Sequence, residues 1–310
     1  MKGTGEAVNS LIPRIKNALS KRARRVSKHV YQSVRWRGLG RPQLLIIVGC
    51  QGSGTALMSR LLDADRDCRV FGEFSVLSAL GKDGIRLNPL PDVAAVVSRV
   101  PAPLVVIKPL VETQRLRTLL NYFPGSKGLF MYRRYEDVAS SDLQRFGPRN
   151  AIDNIRPIAL GDRHNWRSIG ASTAVRAQIA RFFSDDMNPN DAAALFWFAR
   201  NQLYYDLELA GHSEVMLCRY EHVATAPSAI LQRVYAFAGV PCPDLRHANT
   251  LHSSSFGERT SLELLPEVRE LCEKLQERLD AQYELQSKLP ASVGLPAEEY
   301  LRHLRSAVAQ

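Results

Sequence analysis

The sequence predicts an α/β protein in which helices cover a central parallel sheet. Apolar runs of strand length recur along the chain, and stretches with helical spacing separate them. These runs are 44–48, 104–107, 128–132 and 214–218. Buried apolar strands that alternate with helices are typical of β-α units around a parallel sheet. Polar or charged residues follow each run at once. Because ligands of such sheets bind beyond the carboxyl ends of the strands, we expect one crevice at that edge.

The first apolar run leads into a glycine-rich turn and a helix. Residues 49–58 read Gly-Cys-Gln-Gly-Ser-Gly-Thr-Ala-Leu-Met. Glycines let successive backbone N–H groups converge, and a helix N-terminus adds partial positive charge, so the segment predicts an anion site. As a Walker A loop it has the G-x-x-x-x-G spacing, but Thr55 replaces the lysine and Ala56 replaces the magnesium-binding hydroxyl. We therefore expect a P-loop-like three-layer sandwich that binds a phosphate without hydrolysing ATP.

The positive charge of the chain is concentrated in an N-terminal arm. The 310 residues carry a net charge of +10, and residues 1–42 alone contain eleven Lys or Arg against the single acid Glu6. Apolar residues recur there at helical spacing. They are Val8, Leu11, Ile12, Ile15 and Leu19. The arm is predicted to be either solvated or disordered without a partner, or an amphipathic helix on an anionic membrane surface. Nucleic acid is disfavoured, because only Tyr31 and Trp36 interleave the charges.

Residues 43–310 are predicted to form one domain. Residues 147–190 are rich in Gly, Pro, Asn and Arg and are interpreted as an insertion near the active site, and helices are expected at 191–210, with Asp191 as N-cap, and at 262–285. No apolar run approaches the ~20 residues of a transmembrane helix. No apolar segment followed by a small-residue cleavage site is seen near the N-terminus, so a secretory signal is not expected. Five scattered cysteines without a C-x-x-C pair favour a reducing compartment and no metal site. We expect a cytoplasmic protein, with a membrane-surface association through the arm as an option.

Three motifs in succession carry a family resemblance. Residues 48–58, Val-Gly-Cys-Gln-Gly-Ser-Gly-Thr-Ala-Leu-Met, come first. Phe130-Met131-Tyr132-Arg133 follows, with Ser141 eight residues after the arginine, and then Arg219-Tyr220-Glu221 with Ala-Phe-Ala-Gly-Val-Pro at 236–241. In this order the motifs resemble those of sulfotransferases that use 3′-phosphoadenosine 5′-phosphosulfate (PAPS). The resemblance is nearest to the tyrosylprotein and bacterial carbohydrate branches and extends over residues 44–260.

The resemblance implies a binding site for PAPS, with PAP as product and no metal. The loop residues that would hold the 5′-phosphosulfate are Gly52, Ser53, Gly54, Thr55 and Ala56. Arg133 and Ser141 would share the 3′-phosphate. A guanidinium fork suits bidentate phosphate binding, and Ser141 could offer its hydroxyl and a helix N-terminal N–H. Arg145 lies where tyrosylprotein enzymes carry a further arginine, and Tyr220 would lie near the adenine.

Two residues are candidates for the reaction itself. Lys108, directly after the second run, resembles the family lysine that contacts the leaving 5′-phosphate and the bridging oxygen. Glu73 lies close to the position at which tyrosylprotein and trehalose sulfotransferases carry a glutamate that acts as the catalytic base. Glu112 is the alternative candidate for this base. The sequence departs from the family pattern in three places. Gly52 replaces a cationic loop residue, Ala56 replaces a threonine, and Phe74 stands where the second glutamate of the tyrosylprotein pair would be.

The expected activity is transfer of a sulfuryl group from PAPS to a hydroxyl group of a glycan or small molecule. A non-catalytic nucleotide-binding or interaction protein is an alternative, because Gly52 removes a cation. A small-molecule kinase is disfavoured by Thr55 and Ala56. The segment 251–259 resembles a loop that closes over the nucleotide, with the contacting residue left open between Ser253 and Arg259. Trp166 and Trp197 are candidates for the acceptor pocket, and a core position is favoured for Trp197.

Overall fold

The computed structural model describes residues 23, 25–37, 41–81, 84–246, 248 and 261–288. Within them, five parallel strands form one sheet and two antiparallel strands form a hairpin. In chain order the strands are β1 (Gln43–Gly49), β2 (Cys68–Phe71), β3 (Ser78–Gly81), β4 (Gly84–Leu87), β5 (Leu104–Ile107), β6 (Lys127–Tyr132) and β7 (Val215–Arg219). The sheet order is β2-β5-β1-β6-β7. The four expected strands are confirmed, and the edge strand β2 and the hairpin β3–β4 are additions that the sequence did not indicate.

Helices lie on both faces of this sheet. They are α1 (25–35), α2 (Thr55–Ala64), α3 (Leu90–Val97), α4 (Leu116–Tyr122), α5 (Tyr135–Phe146), α6 (Pro148–Ala159), α7 (Thr173–Phe182), α8 (Pro189–Asp206), α9 (Tyr220–Thr225), α10 (Pro227–Ala238) and α11 (Pro266–Lys288). A 3₁₀ turn, Leu110–Arg115, joins β5 to α4. None of the described helices is both long and apolar enough to cross a membrane.

The sheet and the helices on its two faces form three layers, with one apolar core between the sheet and each helical layer. Alternate side chains of β1 enter opposite cores, with Ile46 on the side of α5 and α8 and Ile47 on the side of α2 and α10. This is what period-2 alternation in a doubly covered strand produces. The predicted α/β fold, a three-layer sandwich around a central parallel sheet, is therefore confirmed.

The last part of the basic arm is attached to the domain as α1. The Gln32 amide is fully buried and donates to the backbone oxygens of Arg66 and Cys68 at 2.7 and 3.2 Å. Lys28 pairs with Asp63 at 2.9 Å. These bonds hold α1 against the connection from α2 to β2. The expected amphipathic segment from Val8 to Leu19 lies outside the described residues.

The segment 147–190 contributes helices α6 and α7 to the larger core. Ile155 and Ile179 are fully buried there. Helix α8 follows, and its N-cap is Asn188, whose side chain accepts from the Asn190 amide at 2.8 Å. The expectation that Asp191 caps this helix is wrong. Asp191 lies in the first turn, and its carboxylate instead accepts from the Leu265 amide at 2.9 Å.

Candidate active site

The glycine loop after β1 is shaped by close packing from two sides. Gly49 and Gly54 have φ angles of +144° and +86°, in the region that favours glycine. A Cβ on Gly49 would lie 2.2 Å from the Met131 carbonyl oxygen, and one on Gly54 would lie 2.2 Å from Cδ2 of Tyr220. The sequence therefore needs glycine at both positions to bring the loop against β6 and α9.

Two hydroxyl-bearing residues of the loop are buried. Ser53 and Thr55 are buried, whereas Gly52 and Ala56 are exposed. The Ser53 hydroxyl has no hydrogen-bond partner among the described residues. A buried hydroxyl without a partner is costly, so a ligand oxygen at this position would satisfy it.

Arg133, Tyr220 and Gly54 form one packed unit. The Arg133 guanidinium carbon lies 4.3 Å from the centroid of the Tyr220 ring, and the same ring packs so closely on Gly54 that a Cβ there would lie 2.2 Å from its Cδ2. Both side chains are buried, at 8% and 3% exposure. The structure thus brings together three predicted donor-site residues that follow the carboxyl ends of β1, β6 and β7. Tyr220 supports the loop and the guanidinium.

The backbone at Arg133 is fixed by neighbouring helices. The Trp197 indole, fully buried on α8, donates to the Arg133 carbonyl oxygen at 2.9 Å. Glu221 accepts from the Arg134 amide at 3.1 Å. Asp137, in the first turn of α5, lies 3.5 Å from the Arg133 guanidinium. Trp197 is therefore a core residue that positions Arg133.

Two further predicted donor-site residues lie on α5. Ser141 is half-buried and is the seventh residue of the helix. Since only the first four amides of a helix lack an intrahelical partner, the expectation of a helix N-terminal N–H from Ser141 is wrong, and its hydroxyl alone could bind. Arg145 is exposed in the last turn, and its guanidinium carbon lies 5.1 Å from the Phe146 ring centroid.

The two candidate catalytic residues are in direct contact. Lys108 Nζ donates to Glu73 Oε1 at 2.9 Å. Their proximity follows from strand pairing, because Phe71 of β2 and Ile107 of β5 are register partners and the Lys108 amide donates to the Phe71 carbonyl oxygen at 2.9 Å. Lys108 is 8% exposed and Glu73 is half-buried. An ammonium and a carboxylate thus meet at the edge where the phosphate loop begins.

Glu112, the alternative base, is occupied by structural bonds. It is fully buried, and Arg86 of β4 donates to its two oxygens at 2.8 and 3.0 Å. Arg115 and the Leu87 amide each add a bond at 3.2 Å. Burial raises the pKa of this carboxyl, but the bonds and charges of Arg86, with smaller contributions from Leu87 and Arg115, outweigh it, so the pKa is below its usual value.

Sequence reasoning missed residues that connect the strand ends. Thr113 of the 3₁₀ turn accepts from the Gly49 amide at 3.2 Å, and its hydroxyl lies 3.0 Å from the Gly49 carbonyl oxygen. Arg200 of α8 is fully buried and donates to the Gln114 side-chain oxygen of the same 3₁₀ turn at 3.1 Å. A charged residue within the apolar run of α8 was the available signal for Arg200. The predicted contacts between Ser253 and Arg259 lie outside the described residues.

No protein-family model and no curated protein matches the chain. Solved structures described as sulfotransferases are similar to it. A sulfotransferase from Alicyclobacillus acidocaldarius is 17% identical with a TM-score of 0.43, covering 79% of this chain and 95% of that one. The sulfotransferase domain from the curacin biosynthetic pathway is 16% identical with a TM-score of 0.47, covering 76% and 98%. A mouse sulfotransferase complexed with PAP is 14% identical with a TM-score of 0.37, covering 76% and 72%.

The structures that resemble this chain thus bear the family name that its motifs predicted.

Proposed function

We propose that the protein transfers a sulfuryl group from PAPS to the hydroxyl group of an acceptor. The observation that carries this proposal is the packed unit of Gly54, Tyr220 and Arg133. It joins a phosphate-type loop to a rigidly held arginine at the carboxyl ends of adjacent strands. Such an arrangement suits a nucleotide with phosphates at both ends, since the loop amides and the guanidinium can each bind one.

The donor would lie across the ends of β1 and β6. The amides of the loop and the buried Ser53 hydroxyl would bind the 5′-phosphosulfate, and Arg133 would bind the 3′-phosphate. The Ser141 hydroxyl would add to the 3′-phosphate contact, with Arg145 at its outer side. Because Tyr220 supports Gly54 and Arg133 together, the two phosphate contacts are preorganised relative to each other.

The pair of Lys108 and Glu73 would carry out the transfer. The acceptor oxygen attacks sulfur, the bond between sulfur and the bridging oxygen breaks, and PAP leaves. Lys108 would neutralise the charge that grows on the leaving phosphate. Glu73 would take the proton of the acceptor hydroxyl. Movement of the Lys108 ammonium from Glu73 to the leaving oxygen would release the carboxylate for this task.

The loop departs from the family at Gly52, so Lys108 would be the main cation at the leaving group. This departure also supports the second candidate, a nucleotide-binding member without catalysis. A kinase is disfavoured, since Thr55 and Ala56 provide neither the lysine nor the usual magnesium hydroxyl of a Walker loop. Among the described residues, no group of three or more His, Cys, Asp or Glu side chains is placed to hold a metal ion.

We further propose a glycan or small molecule as acceptor and the cytoplasm as location. The eleven basic residues of 1–42 would allow peripheral contact with an anionic membrane, and α1 would connect that arm rigidly to the domain.

Binding of PAP compared with AMP tests the donor site. Replacing Arg133 by Ala removes a charge-assisted bidentate contact, so PAP binding should weaken by about 1.5–3 kcal/mol while AMP binding changes little. Calorimetry measures both affinities, and thermal shifts with PAP, AMP and ATP give the ranking. Arg181→Ala, at an exposed position of α7, is the matched control. Equal stabilisation of the wild type by PAP and AMP would contradict the proposal.

A further inference from the structure

A buried cluster between α8 and the segment after α6 has two arginines that form no ion pair with a carboxylate of the described residues. Arg200 is fully buried, and its single hydrogen bond among the described residues goes from Nη2 to the Gln114 oxygen at 3.1 Å. Its Nε and Nη1 atoms have no partner within the described part of the chain. An unpaired buried guanidinium is among the costliest groups a protein can hold, so a retained one points to a counter-ion.

A second arginine lies beside it. The guanidinium carbons of Arg167 and Arg200 lie 4.6 and 5.1 Å from the centroid of the Trp166 ring, so they are no more than about 10 Å apart. Arg167 donates to the neutral Asn154 oxygen at 2.7 Å. The described residues place no carboxylate within ion-pair distance of either arginine.

The acidic residue that could neutralise Arg200 is already engaged. The charge of Glu112 acts on Arg200, but its oxygens are held by Arg86 and Arg115. Burial lowers the pKa of Arg200 to about 10, and the neighbouring charge of Arg167 lowers it as well. That value leaves Arg200 cationic at neutral pH.

The cluster is adjacent to the candidate active site. Gln114 belongs to the same 3₁₀ turn as Thr113, which bonds to Gly49 at the start of the loop. Trp197, one turn before Arg200 on α8, holds the Arg133 carbonyl oxygen. Arg200 also opposes the rise in the pKa of the Cys50 thiol that burial causes, which places its charge near the first loop residue.

We propose that Arg167 and Arg200 form an anion subsite for the acceptor, so that the molecule bearing the hydroxyl group also carries a carboxylate, phosphate or sulfate group. Arg167 is only half-buried and gives the subsite its contact with solvent. The Ser168 hydroxyl, fully buried and without a partner among the described residues, would add a donor. The assignment of the bound anion to an acceptor rests on the proposed function, whereas the existence of the subsite does not.

Inorganic phosphate is the probe for this subsite. The full chain is first saturated with PAP, so that the nucleotide site is filled, and phosphate is then titrated against sodium chloride at equal ionic strength. We expect a saturable rise in Tm for the wild type and for Arg181→Gln. Arg167→Gln and Arg200→Gln should each raise the phosphate Kd by about tenfold or more, as the loss of a charge-assisted contact requires.

A second variant separates binding from folding. Arg200→Met removes an uncompensated buried charge at similar volume, so without phosphate its Tm should equal or exceed that of the wild type, and its response to phosphate should be lost. If Arg200→Met lowers the Tm and Arg167→Gln responds to phosphate as the wild type does, the arginines are structural and the inference is wrong. An unchanged phosphate response in all variants means an adventitious ion only, which also overturns it. Failure of the wild type to bind PAP contradicts the proposed function instead, and the titration repeated without PAP still compares the variants.

Discussion

Glu73 and Glu112 both pair with cations near the carboxyl end of β5, but they are built into the protein differently. Glu73 follows the edge strand β2, is half-buried and bonds to one ammonium, that of Lys108, at 2.9 Å. Glu112 is fully buried, and two guanidinium groups and the Leu87 amide donate to it. A carboxylate can take a proton only through an oxygen lone pair that faces the substrate. Glu73 retains such lone pairs, whereas those of Glu112 are already used to hold β4 against the 3₁₀ turn.

The largest expected effect is on turnover by Glu73→Gln. The amide keeps the size of the side chain but cannot accept the proton, so kcat should fall by about 10²–10⁴-fold. PAP affinity, measured by calorimetry, should stay close to that of the wild type. Glu284→Gln, on the exposed face of α11, is the matched control for the loss of one carboxylate. If Glu73→Gln turned over at the wild-type rate, a group other than Glu73 would be the base.

Glu112→Gln should act on stability instead. Glu112 is fully buried, and the variant removes the negative charge to which Arg86 and Arg115 donate, so the free energy of unfolding should fall by about 3–5 kcal/mol in urea titrations at pH 7.

The pH dependence of stability provides a second test of the role of Glu112. Its pKa in the folded state lies below the ordinary value of 4.5. The stabilisation is therefore present above pH 4.5 and is lost as the pH falls through the folded-state pKa, so the difference between wild type and variant should shrink in acid. A stability difference that stays constant as the pH falls from 7 to well below 4.5, through the folded-state pKa, would show that the carboxylate charge is not its source.

The strands of the sheet were easier to predict from the sequence than the contacts between residues that follow the strand ends. Runs such as 44–48 are apolar throughout, because both faces of these strands are buried, and their pattern is unambiguous. Strand β2 is only four residues long, and its two central residues are half-buried. Without β2 in the sheet, Glu73 and Lys108, 35 residues apart in the chain, could not be predicted to touch.

Within the candidate site, too, local motifs could be predicted from the sequence, but contacts between distant residues could not. Arg133 and the loop were predicted from local motifs, but the packing of Gly54 against Tyr220 joins residues that are distant in the chain and is a property of the fold. Glu112 was predicted as a candidate base because it lies on the turn after Lys108. Its partner Arg86 comes from a hairpin that no periodicity indicated, so the structural role could not be predicted.

Lys108→Ala should have an effect of intermediate size, mainly a decrease in kcat. The ammonium is proposed to act where charge grows on the leaving phosphate, so kcat should drop by about 10²–10³-fold, as for other electrostatic stabilisers of a transition state. PAP affinity should drop much less. Lys274→Ala, at an exposed position of α11, controls for net charge. Equal losses in kcat and in PAP affinity would show that Lys108 binds the ground state and the transition state alike.

The smallest effect is expected for Arg86→Lys. Arg86 donates two parallel bonds to Glu112, at 2.8 and 3.0 Å, and a lysine can approach only as a point charge. One charge-assisted bond is lost while the charge remains, so the free energy of unfolding should fall by about 1–3 kcal/mol, less than for Glu112→Gln. Since the bonds of Glu112 hold the fold and not the substrate, kcat should stay within about twofold of the wild type, a change of less than 0.5 kcal/mol in the barrier. A tenfold loss of kcat in a variant that remains folded at the assay temperature would mean that Glu112 takes part in the reaction, and the distinction between the two glutamates would fail.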